Sequence, residues 1–182
     1  MRGEGIDRFF FDGLGLALKS HPELVEEIAI RLVGGSRHMS PLIESFIERG
    51  VVSSHPPVPF DQVGNVLAHA NGGLSWQGGY HQYRGMIVQK FFEYFATNTP
   101  MFIVGRPDGE MGNMLRRYSL GVATNPNSSH DVANDFVRFH NAVKAGEFDY
   151  SSCPDRLRRQ FDRHNQAKLL AQVFDCVAGQ KS

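Results

Sequence analysis

The chain has 182 residues, 41% of them hydrophobic and 21% charged, a composition that suits one domain with a proper core and excludes a disordered chain. Nineteen basic side chains balance nineteen acidic ones, so no net field favours nucleic acid or an anionic membrane surface. Cys153 and Cys176 stand far apart and outside any C-x-x-C pattern, which argues against a disulfide framework or a zinc site.

In chain order, residues 1–12 carry Arg2, Glu4, Asp7 and Arg8 where a signal peptide would be apolar. No run approaches the roughly 18 apolar residues of a membrane span, so the expected location is the cytoplasm. The spacing predicts a helix over 9–19, although Gly13 and Gly15 weaken it. After His21-Pro22 comes a β-rich run, 28–33, stopped by Gly34-Gly35. Ser40 as N-cap and Pro41 at the first helical position open a helix over 42–49. Val51 and Val52 form the next short strand, ending at His55-Pro56-Pro57.

The alternation then repeats. A helix is expected over 60–70, a strand over 73–76, and a Gly- and Tyr-rich loop over 77–85. A strongly apolar helix over 86–97 leads to a buried strand over 101–105. Helix 110–118, strand 121–124 and two terminal helices, 130–145 and 155–178, complete the chain. Strands alternating with helices imply βαβ units: one α/β, Rossmann-like domain over 1–182, its mostly parallel sheet covered by helices on both faces. Ligands of such sheets bind at the carboxyl ends of the strands, where helix N-termini suit phosphates. The loops at those ends are 34–36, 55–59, 77–85 and 106–109.

One segment narrows the choice: Lys90-Phe91-Phe92-Glu93-Tyr94-Phe95-Ala96-Thr97-Asn98-Thr99-Pro100, followed by the apolar strand 101–104. It resembles the K-[LF]-x-E-Y-[LA]-A-x-G-x-P signature of the retaining GT-B-fold glycosyltransferases, in their C-terminal, nucleotide-sugar-binding domain. Flanking segments extend the likeness over nearly the whole chain: Leu18 to Leu24 with Ile30 to Gly34, Val58 to Val63 with Leu67 to Asn71, Asp108-Gly109-Glu110, Leu120-Gly121-Val122, and the stretch from Phe161 to Phe174. The fold implied is one half of a GT-B enzyme.

The resemblance implies that Glu93 hydrogen-bonds the ribose hydroxyls of a nucleotide-diphosphate sugar, a task for which two acceptor oxygens are suited. Asn98 stands where the family has glycine, and asparagine is the next most tolerant residue of a left-handed helix end. Lys90, one turn before Glu93, is either a phosphate contact or half of a surface i,i+3 pair. The backbone of 105–109, through Gly109, would cradle the diphosphate as the family's loop does, or be a plain strand-to-helix turn. Arg84 and Arg106 are the candidate charge partners of the leaving diphosphate, against the alternative of solvated loop arginines. Pro57 and Val58 lie where the family reads the base through backbone groups. Trp76 would face the sugar, though for a lone tryptophan core packing is the better explanation.

No catalytic residue is assigned. No metal and no cofactor beyond the sugar nucleotide is expected, since the eight histidines show no H-x-x-x-H or H-E-x-x-H arrangement. Three departures from the family pattern stand out. Gly85 replaces a second glutamate that touches the donor sugar, the domain's first strand, expected just before Asp7, is not visible in the sequence, and the acceptor-binding half is missing. The expectation is therefore a donor-binding domain that needs a second chain for turnover. The alternatives are a non-catalytic GT-B-like interaction or regulatory subunit, a truncated relic, or another α/β enzyme such as a sugar-nucleotide epimerase. A dinucleotide oxidoreductase is disfavoured because no G-x-G-x-x-G follows a strand.

Overall fold

Apolar stretches separated by glycine and proline become short parallel strands joined by helices. The computed structural model describes residues 6–34, 41–77, 84–148, 150, 159 and 161–179. In chain order these give α1 (Ile6–Ser20), α2 (Leu24–Glu27), β1 (Ile30–Val33), α3 (Pro41–Glu48) and β2 (Val52–His55). A 3-10 turn (Phe60–Gln62) leads into α4 (Val63–Ala68), followed by β3 (Gly73–Trp76), α5 (Gln89–Ala96), β4 (Met101–Val104), α6 (Glu110–Arg117), β5 (Gly121–Thr124), α7 (Ser129–Ala145) and α8 (Arg163–Gly179). The chain divides into two compact units, residues 1–148 and 149–182.

Within the first unit every strand pair is parallel, as the βαβ pattern requires. The strands do not form one sheet, however. Among the described residues β1 pairs only with β2, and β3, β4 and β5 form a separate three-stranded sheet in that order.

β4 is buried along its whole length, and successive side chains of a strand face opposite ways. Phe102 and Val104 join a core cluster with α1 (Phe10, Phe11, Leu14), α3 (Phe46), β2 (Val52) and α7 (Val132, Phe136, Phe139). Met101 and Ile103 are equally buried but lie outside that cluster, as do Phe91, Phe95, Met111 and Leu115 of α5 and α6. Helices therefore cover both faces of the three-stranded sheet. Phe10 touches Trp76 of β3 edge-on, with ring centroids 5.7 Å apart, and also Phe102 and Phe136. Its neighbour Phe11 reaches Phe46 of α3 at 5.7 Å. α1 thus binds the two sheets into one core.

Gly13 costs α1 some helix propensity, and its position explains why. A Cβ there would stand 2.6 Å from Cγ1 of Val132 and 2.8 Å from the carbonyl oxygen of Ser129. Its absence lets α1 and α7 lie close together. α7 itself has a full pair of caps: Ser128 Oγ accepts from the Asp131 amide at 3.1 Å, and Gly146 closes the helix in the left-handed region. Glu27 of the short α2 accepts from Lys144 at 2.8 Å and lies 2.7 Å from His140 Nε2, and these two neighbours hold its carboxyl below the usual range.

In the second unit, Asp162 Oδ1 accepts from the Asn165 amide at the start of α8. Leu169, Leu170, Val173, Phe174 and Val177 of α8 are each more than half exposed. Among the described residues no helix is long and apolar enough to cross a membrane.

Candidate functional site

The segment 84–97 is expected to be helical from residue 86, but the helix begins at Gln89. Val88 is extended, with φ −74° and ψ 151°, and the side-chain amide of Gln77 donates to the Met86 carbonyl at 2.7 Å. That bond ties the segment entering α5 to the residue that follows β3. The start of α5 is thereby brought against the carboxyl end of β3, the place where sheets of this kind bind ligands.

An open cavity of about 420 Å³ lies there, lined by Ser75, Trp76, Val88, Gln89, Lys90 and Glu93. Its size is within the range of small-molecule sites. The 3.6-residue period places Gln89, Lys90 and Glu93 on one side of the first turn of α5. The Glu93 carboxylate accepts from Gln89 Nε2 at 3.1 Å rather than pairing with Lys90, so the lysine ammonium is presented to solvent at the rim. Behind them Tyr94 is buried, donates its hydroxyl to the Leu74 carbonyl at 2.7 Å, and has its phenol pushed up to about 12, first by burial and then by the neighbouring Glu93 charge.

Beside the cavity the loop after β4 folds on itself. Arg106 donates to both oxygens of Asp108, Nε at 3.0 Å and Nη2 at 2.7 Å. Arg84 reaches the same carboxylate at 3.8 Å. The Asp108 carboxyl is held below its usual range by Arg106 first, with a smaller contribution from Arg84. The amide of Gly109 goes to the Arg106 carbonyl (3.1 Å) and that of Glu110 to the Arg84 carbonyl (2.7 Å). The first two N–H groups at this helix start are therefore committed within the loop, and Gly109 offers no free donor to a phosphate unless the turn opens. Two guanidinium groups share one carboxylate, and Arg84 is the more exposed of the two.

The structure therefore sorts the expected residues into three places. Glu93 and Lys90 share the cavity, and Arg84, Arg106 and Gly109 form the adjoining loop cluster. Val58 is half-buried in the loop after β2, does not line the cavity, and follows Pro57, which packs near Gly34 at the end of β1. Trp76 packs edge-on against Phe10 and also lines the cavity. Its indole N–H is buried without a partner. Gln89 is the residue that motif reading passes over, and its i,i+4 spacing to Glu93 is the available signal. Most of the Gly- and Tyr-rich loop, residues 78–83, lies outside the described residues.

No family model, curated protein or solved structure matches this chain. The site accordingly has to be read from its own chemistry. Among the described residues no three His, Cys, Asp or Glu side chains come together as a metal site. What the cavity offers is an acceptor pair on Glu93, an ammonium on Lys90, an amide on Gln89 and the ring of Trp76 as a wall. That set suits a polyhydroxylated ligand carrying negative charge.

Proposed function

We propose that residues 1–148 bind a nucleotide-diphosphate sugar and act as the donor-binding domain of a glycosyltransferase. The observation that carries this reading is the cavity at the carboxyl end of β3, into which α5 brings Glu93 and Lys90 together. Glu93 accepts the two ribose hydroxyls, with Gln89 fixing the carboxylate. Lys90 and Arg84 offset the charge of the diphosphate, while Arg106, already held by Asp108, positions the loop. Sugar transfer to an acceptor hydroxyl, with retention, requires a second domain facing this site. The contribution of the domain is then positioning plus electrostatic support of the departing diphosphate.

Calorimetric titration with UDP, GDP and their glucose conjugates tests the proposal. One of them should bind in the micromolar-to-millimolar range, and Glu93→Ala should weaken it about ten- to hundred-fold, the loss expected for hydrogen bonds to a charged group. Binding that is indifferent to Glu93→Ala would remove the ribose role, and no binding at all would remove the donor-domain reading.

A second reading, a non-catalytic interaction subunit, has one observation in its favour. Leu169, Leu170, Val173, Phe174 and Val177 leave an apolar stripe exposed along α8, the kind of patch that marks protein contacts. Absence of nucleotide binding together with a stable complex through α8 would favour it.

A further inference from the structure

The loop after β4 gathers guanidinium groups around one carboxylate. Asp108 accepts two bonds from Arg106, from Nε at 3.0 Å and from Nη2 at 2.7 Å, and Arg84 comes within 3.8 Å of the same group. A third guanidinium, that of Arg116 in α6, reaches the same turn, with Nη2 3.5 Å from the Pro107 carbonyl. Arg84 is also tied to the cavity. Two residues on, the Met86 carbonyl accepts from Gln77, and Val88, Gln89 and Lys90 then line the cavity wall. A guanidinium fork that grips a carboxylate through two parallel bonds grips a phosphate in the same way. Asp108 thus fills, with a side chain of this protein, a place shaped for an anion.

The two halves of the pair differ in freedom. The Arg106 side chain is 20% exposed and that of Asp108 53%, so the carboxylate can turn out to water while the guanidinium stays. The turn itself does not depend on the pair. The Gly109 amide donates to the Arg106 carbonyl and the Glu110 amide to the Arg84 carbonyl, and both bonds remain when the carboxylate leaves. They also occupy the first amides of α6, so an arriving anion meets side chains here rather than backbone donors. Arg106, and to a smaller degree Arg84, hold the Asp108 carboxyl below its usual range, so it stands on the fork as a full charge at neutral pH. A solvent-exposed ion pair contributes little net stability, and exchanging its carboxylate for another anion therefore costs little.

We propose that Asp108 is a built-in occupant of the diphosphate subsite, displaced from Arg106 and Arg84 when the diphosphate of the ligand arrives. The choice of ligand rests on the donor-domain reading. What is added is that Arg106 changes partner on binding, and that the carboxylate sets a threshold of charge for entry. A ligand with a single negative charge gains no more from the fork than Asp108 already provides. A diphosphate brings more charge and more acceptor oxygens, and so wins the exchange. Glu110, two residues on, is exposed and makes none of these bonds, so the competition belongs to Asp108.

The test is calorimetric titration of the full chain with inorganic pyrophosphate. Asp108→Asn keeps the shape of the side chain and removes the competing charge, so it should bind pyrophosphate at least about ten-fold more tightly than the unaltered chain. Glu110→Gln removes one negative charge from the same loop without touching the fork, and should gain much less. Adding Arg106→Gln to Asp108→Asn should abolish the gain. In the unaltered chain, saturating pyrophosphate should shift the NMR signals of the Arg106 Nε–H and of the Asp108 carboxyl carbon together. Equal or absent binding by Asp108→Asn, an equal gain in Glu110→Gln, or an unmoved Asp108 carboxyl signal at saturation would each overturn the proposal. Uridine and guanosine, which carry ribose but no phosphate, separate it from the donor-domain reading. Nucleoside binding that depends on Glu93, without the gain in Asp108→Asn, removes the exchange at Asp108 and leaves that reading standing. The gain without binding of any nucleoside or nucleotide sugar supports the exchange and removes the sugar nucleotide as its ligand.

Discussion

Gly121→Ala is expected to destabilise the first unit by about 4 kcal/mol or more, close to the limit of a single substitution. Gly121 opens β5 with φ +153°, a conformation that side-chain-bearing residues rarely adopt. An added Cβ would stand 2.0 Å from the Met101 carbonyl oxygen and 2.7 Å from that residue's amide nitrogen. The obstacle is backbone, and that backbone is the first rung of the β4–β5 ladder, where the Met101 amide donates to the Leu120 carbonyl at 3.0 Å. Relief would require β5 to move away from β4, beneath a core that is packed without slack. Urea unfolding measures the effect. Gly64→Ala is the internal control, since a Cβ there meets nothing within 4 Å and the change should be neutral or slightly stabilising in a helix. If the two alanine variants unfolded together, the close approach of β5 to β4 would be wrong.

Phe10→Ala follows closely, with an expected loss of about 3–5 kcal/mol. The ring is 0% exposed and touches Phe11, Trp76, Phe102 and Phe136 at centroid distances of 5.1 to 6.3 Å. The neighbours come from β3, β4 and α7, so no single element can collapse into the void. Trp76 is the only tryptophan, and its emission reports the change at the site itself. Phe174→Ala, at a ring 63% exposed on α8, should stay within about 0.5 kcal/mol. An equal effect from both would mean that Phe10 is not the keystone its contacts describe.

Much of the element order is legible because local chemistry sets it. Glycine bounds β1, Pro41 opens α3, and β3 and β5 fall on residues 73–76 and 121–124 as the apolar runs predict. Asn98 adopts φ 55°, as its place at the end of α5 requires. Gly13 in α1 reads as a weakness from propensity alone, whereas the structure makes it the point where α7 comes close. The later start of α5 was not legible, because it depends on a bond from Gln77, twelve residues upstream of Gln89. The break in the sheet was only partly legible. Strand pairing is a tertiary property, and the sequence does not say that the strands divide into two sheets. In the site, Glu93 and Lys90 could be grouped by helical spacing. The closing of Arg106 onto Asp108, which takes up the guanidinium, depends on the fold of one turn and leaves no periodic signal.

The buried Tyr94 hydroxyl ties the stability of this fold to alkaline pH. Its phenol ionises near 10 in an unfolded chain and at about 12 in place, so the native state holds the proton more tightly. The stabilisation is complete below pH 10 and is withdrawn as pH rises from there toward 12, by about 1.4 kcal/mol per pH unit. Ultraviolet difference absorbance should show a late tyrosine step, and Tyr94→Phe should lose it. Once ionised, the oxygen turns from donor to acceptor against the Leu74 carbonyl, and two negative oxygens then face each other beneath β3. Strong base should thus loosen the edge of that strand.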